Sequence, residues 1–80
     1  MTRIKFYGEL IDLNEETGDI KDAIDEKTGR TLGTTYKIKG QLKKFCAATW
    51  DAEKKCWTVG STATYSQQEL IESLINFHKA

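Results

Sequence analysis

Apolar and polar positions alternate through residues 3–13, with Ile4, Phe6, Leu10 and Leu13 as apolar anchors and Tyr7 and Ile11 on the other parity. A period of two sends successive side chains to opposite faces, so this stretch predicts a half-buried strand. The phase slips near Gly8, where a residue without Cβ tolerates the backbone angles of a bulge or strong bend. Residues 14–19, Asn-Glu-Glu-Thr-Gly-Asp, carry turn chemistry. Residues 20–25 then alternate weakly, and Lys21 and Asp22 suit an edge strand. A second Thr-Gly turn at residues 25–30 leads to Leu32, Thr34, Tyr36 and Ile38 on one face of a third strand, completing a meander.

From Ile38 the period lengthens. Ile38, Leu42, Phe45 and Cys46 make one stripe of a short helix starting near Lys39, although Gly40 weakens it by about 1 kcal/mol relative to Ala. Thr49-Trp50 and Cys56-Trp57-Thr58-Val59 bracket a four-residue loop entered through Asp51, a hairpin in which Trp50 faces Trp57. Ser66 and Glu69 have the spacing of a capping box, and Tyr65 is a candidate staple against Leu70. The stripe Leu70, Ile71, Leu74, Ile75 and His78, joined by Phe77, predicts a helix with one face on the sheet. The chain thus predicts a single α+β domain over residues 1–80. Its antiparallel sheet of about five strands carries two helices on one face, in the order βββ-α-ββ-α.

Charge changes the picture more by its distribution than by its total. Twelve basic and twelve acidic residues cancel, so there is no overall positive field of the kind that draws nucleic acid. Residues 1–35 hold five basic and eight acidic groups, an acidic meander, whereas residues 36–58 hold six lysines against Asp51 and Glu53. No apolar run approaches the roughly 20 residues of a membrane span, and the N-terminus lacks an apolar signal core, which leads us to expect a cytoplasmic protein without membrane contact. Cys46 and Cys56 with the single His78 make an incomplete zinc ligand set, so no metal and no cofactor are expected, and both thiols are expected to be reduced.

The candidate chemistry lies in residues 36–59, which contain both tryptophans and both cysteines. Trp50 and Trp57 offer flat surfaces on which unpaired bases stack, and Lys37, Lys39, Lys43, Lys44, Lys54 and Lys55 offer charges for phosphates. The plainer reading is a cross-strand tryptophan pair in the core, with Tyr7 and Tyr36 packing on the sheet. Glu15, Glu16, Asp19, Asp22, Asp25 and Glu26 form an acidic set that would suit a basic protein partner, or else a solvated rim. His78 at a helix C-terminus suits an interaction with the helix dipole. No phosphate loop, nucleophile elbow or metal-binding helix motif is present, so no enzyme is expected.

Leu42, Lys43, the Trp50-Asp51 pair, Lys54 or Lys55, Trp57 and the segment from Tyr65 to Phe77 resemble the HARP module that accompanies annealing-helicase motors. The Trp-Asp-x-x-x-Lys-x-Trp core is also similar to a small domain of phage and plasmid accessory proteins. The resemblance spans residues 36–78. It implies a non-catalytic α+β module that contributes to binding single-stranded or forked DNA. A stand-alone chain of this size and neutral charge also fits a phage or mobile-element adaptor or inhibitor that binds a protein through its acidic hairpins or a sheet edge.

Overall fold

The computed structural model describes residues 2–31 and 33–79. Among them, β1 (Thr2–Phe6), β2 (Glu9–Leu13), β3 (Asp19–Asp22), β4 (Thr49–Asp51) and β5 (Cys56–Thr58) form one antiparallel sheet in the order β1-β2-β3-β5-β4. The helices are α1 (Thr34–Lys37), α2 (Lys39–Cys46) and α3 (Gln67–His78). The expected α+β class is therefore the observed one. Cross-strand partners share a face, and the pairs Ile4↔Ile11, Leu13↔Ile20 and Ile20↔Trp57 trace the inner one. Leu42, Leu70, Ile71 and Leu74 join these residues in a single core. The outer face carries polar pairs, among them Arg3 with Asp12 at 2.6 Å.

Two of the expected strands differ. The stretch 3–13 is not one bent strand but a hairpin. Tyr7 (φ 50°) and Gly8 (φ 82°) are its two turn residues, both with the positive φ of a type I′ turn, and Phe6 pairs with Glu9. A two-residue turn puts Phe6 and Glu9 on the same face, which is the source of the phase slip. The expected third strand over residues 32–38 is the helical turn α1 instead; Leu32 lies outside the described residues. Ile24 and Thr31 keep only an isolated antiparallel bridge. Thr34 and Thr35 are buried, and the end of β3 with the residue after it fixes both. Thr34 Oγ1 accepts from the Ala23 amide at 3.3 Å, while Asp22 Oδ1 accepts from the Thr35 amide at 2.8 Å and from its hydroxyl. These bonds pull a β-branched, alternating segment into a helical turn, so tertiary context overrides local preference.

β3 is also central rather than an edge strand. The edge chemistry of Lys21 and Asp22 nevertheless has a cause: β5 pairs with Asp19 and Ile20 alone, so the second half of β3 has no neighbour on that side. Tyr7 and Tyr36, expected as sheet packing, are both exposed, and so is Phe77, which lies outside the buried stripe of α3.

Ser66 caps α3 as its spacing predicts. Its hydroxyl accepts from the Glu69 amide at 3.2 Å, and Glu69 Oε1 accepts from the Ser66 amide at 3.1 Å. Replacing Ser66 by Ala leaves both ends of this exchange weakened and is expected to remove about 1 kcal/mol of stability. For a domain of this size that is a fall of about 4–8 °C in Tm; an unchanged melting curve would show that the cap is not needed.

Candidate nucleic-acid interface

The β4–β5 hairpin and the α1–α2 segment build one groove. Trp50 and Trp57 are opposed as the hairpin spacing predicts, with ring centroids 5.7 Å apart and an interplanar angle of 67°. Their environments differ sharply. Trp57, on the inner strand β5, is 7% exposed, whereas Trp50, on the edge strand β4, is 53% exposed. Asp51 sets the hairpin loop by accepting from the amides of Glu53 (2.9 Å) and Lys54 (3.2 Å).

Opposite the hairpin, α1 presents Tyr36, which is 72% exposed. Tyr36, Lys39, Lys43, Trp50 and Trp57 line a single open groove of about 370 Å³, with Asp22 and Thr35 at its wall. Two lysines lie over its rings: Lys39 Nζ is 4.5 Å from the Tyr36 centroid and Lys43 Nζ is 5.7 Å from that of Trp57. Exposed cation–π contacts of this kind contribute about 0.5–1 kcal/mol, little enough to be exchanged for a phosphate. Asp22 adds a negative charge to the wall, but one of its oxygens is held by Thr35.

The lysine set suggested by the sequence is divided by the fold. Lys39 and Lys43 face the groove. Lys37 reaches Glu9 at 3.9 Å, Lys54 reaches Asp19 at 3.8 Å, and Lys44 borders a separate groove with Phe45, Tyr65 and Phe77. Lys55, with φ 54°, stands in the hairpin loop and lines a second cavity with Trp50. The acidic set is divided too. Asp22 anchors α1, Asp19 accepts from Thr58 Oγ1 at 3.2 Å, and Asp25 accepts from the Lys27 amide at 2.9 Å. Glu15, Glu16 and Glu26 are exposed.

Tyr36 was not identified as a site residue from the sequence, although a signal for it exists. Tyr36, Lys39 and Lys43 are spaced i, i+3, i+7, the spacing of one helix face, once the helix is extended back past Ile38. His78 is the last residue of α3 and packs edge-on to Phe6, with centroids 4.7 Å apart, and to Phe45 at 5.2 Å. Both cysteines are free and buried. Burial pushes the Cys46 thiol up to about 11, with the Ala48 backbone opposing it weakly. Burial and then the Asp19 charge raise the Cys56 thiol, against the opposing charges of Lys21 and Lys54. At neutral pH both are protonated thiols, poor nucleophiles.

Among the described residues no cluster of three His, Cys, Asp or Glu side chains is placed to hold a metal, and no helix is long and apolar enough to cross a membrane. No protein-family model matches the chain, and no curated protein or solved structure matches it significantly.

Proposed function

We propose that this chain is a non-catalytic module that binds single-stranded nucleic acid, including the unpaired arm of a fork, in the groove between α1–α2 and the β4–β5 hairpin. The observation that carries this reading is the presence of two exposed aromatics, Tyr36 and Trp50, in one groove with Lys39 and Lys43. Stacking of an unpaired base on an aromatic ring contributes about 1–3 kcal/mol, and every base has a face to offer, so such a groove is tolerant of sequence. The lysines add the phosphate attraction that makes binding depend on salt. Paired bases cannot open their faces to Tyr36 and Trp50, which gives a preference for unpaired strands. The extension to DNA forks comes from the likeness to the HARP module expected for residues 36–78 alone, and no family model supports that likeness.

The test is anisotropy of labelled single-stranded, duplex and forked oligonucleotides with the wild-type protein and with Lys39→Glu/Lys43→Glu. The wild type is expected to prefer the unpaired substrates. Replacing two attractions by two repulsions is expected to lower affinity at least tenfold at low salt. Equal affinity of wild type and double variant would place the nucleic acid elsewhere.

A further inference from the structure

Trp50 lines two concavities. The groove described above shares Asp22, Thr35 and Trp50 with a second cavity of about 430 Å³, which opens where β3 and β5 part after the Ile20↔Trp57 pair. Ile20 and Ile24 give this cavity an apolar wall, Trp50 gives it a ring, and Lys21, Lys54 and Lys55 give it positive charge. Its two carboxylates are already engaged: Asp12 with Arg3 at 2.6 Å and Asp22 with Thr35. Lys54 is engaged as well, with Asp19. Lys21 and Lys55 have no salt-bridge partner among the described residues and are both exposed. The cavity therefore combines apolar and aromatic walls with two uncommitted cations. Its volume falls within the range of about 300–1,000 Å³ typical of small-ligand sites. Lys21 and Lys54 also lie near enough to the buried Cys56 at its wall for their charges to be felt by the thiol.

We infer that this cavity is a second nucleotide subsite of the same track: a strand crossing the β4 edge places one base in the Tyr36–Trp50 groove and the next against the far side of Trp50, with its phosphate on Lys21 and Lys55. The inference rests on the proposed groove and adds Lys21, which lies outside the lysine-rich segment, to the binding surface. Trp50 then serves as a divider contacted from both sides. A strand too short to cross it makes only half of the contacts.

The experiment titrates labelled oligothymidylates and oligouridylates of two to twelve nucleotides with the wild type, Lys21→Glu/Lys55→Glu and Lys39→Glu/Lys43→Glu, at several salt concentrations. Melting curves check that each variant is folded, and Lys21→Gln/Lys55→Gln repeats the test without added negative charge. For the wild type, affinity is expected to rise with length until the strand spans both sides of Trp50. The Lys21/Lys55 charge reversal is expected to lose at least tenfold in affinity for the longer strands and little for the shortest. The Gln pair is expected to flatten the slope of log K against log salt by about 1.4, the share of two phosphates on a single strand. Matching results with both oligomers assign recognition to the pyrimidine ring and phosphate common to them; a preference for one assigns a part to the sugar or to the thymine C5-methyl, the two features that differ. If the Lys21/Lys55 variants bind all lengths like the wild type while Lys39→Glu/Lys43→Glu is impaired, the cavity is not a subsite although the groove is one. If the wild type binds no oligomer at low salt, the groove reading fails and the subsite with it.

Discussion

Replacing Phe6 by Ala is expected to cost about 3–5 kcal/mol, the range for removing a large buried aromatic from a close-packed core. Phe6 is fully buried on β1. Its ring meets Tyr7 at 4.7 Å, Phe45 of α2 at 5.4 Å and His78 of α3 at 4.7 Å, all edge-on. This is where the sheet, α2 and α3 converge, so a cavity there loosens both helices at once. An 80-residue domain has a total stability of about 4–12 kcal/mol, and the variant should lose a large share of it. Urea unfolding followed by tryptophan emission measures the loss, and a change below about 1 kcal/mol would mean that α2 and α3 do not depend on this contact.

The second large effect is on binding. Trp50→Ala is expected to weaken single-stranded nucleic acid binding by about 5- to 150-fold, the equivalent of one lost stacking contact of about 1–3 kcal/mol. Its effect on folding is expected to be small beside that of Phe6→Ala, because half of the Trp50 surface is already in water (53% exposed). Trp57→Ala should behave in the opposite way, since Trp57 belongs to the core. Loss of binding without loss of fold at Trp50, and loss of fold at Trp57, would separate two residues that the sequence presents as equivalents. If Trp50→Ala binds like the wild type, the ring is not a stacking surface.

That difference between the tryptophans shows what the sequence could and could not reveal. The hairpin register, the Ser66 cap, the start of α2 and the stripe of α3 all arise from residues close together in the chain, and all were legible. The exposure of Trp50 depends on β4 lying at the edge of the sheet while β5 pairs with β3, a choice between equally patterned strands that local sequence does not make. Tyr36 reaches the groove because Asp22 and Thr35, thirteen positions apart, bond to one another. Alternation at residues 32–38 pointed to a strand because it carries no trace of that distant bond. Phe77 fits the apolar spacing of α3 yet is 76% exposed, while its neighbour His78 packs on Phe6 of the sheet, so the face that α3 buries runs beside Phe77 rather than through it. The lysines were legible as a set, but their division between the groove, the hairpin loop and partners such as Glu9 and Asp19 followed only from the fold.

The most direct measurement is the tryptophan emission of the wild-type protein during titration with a single-stranded oligonucleotide at low and at moderate salt. With Trp57 buried, the change is expected to come from Trp50: a saturable quench, its midpoint moving to higher concentration as salt increases. Unchanged emission at low salt, together with unchanged anisotropy of the labelled strand, would contradict the assignment of the Tyr36–Trp50 groove to nucleic acid.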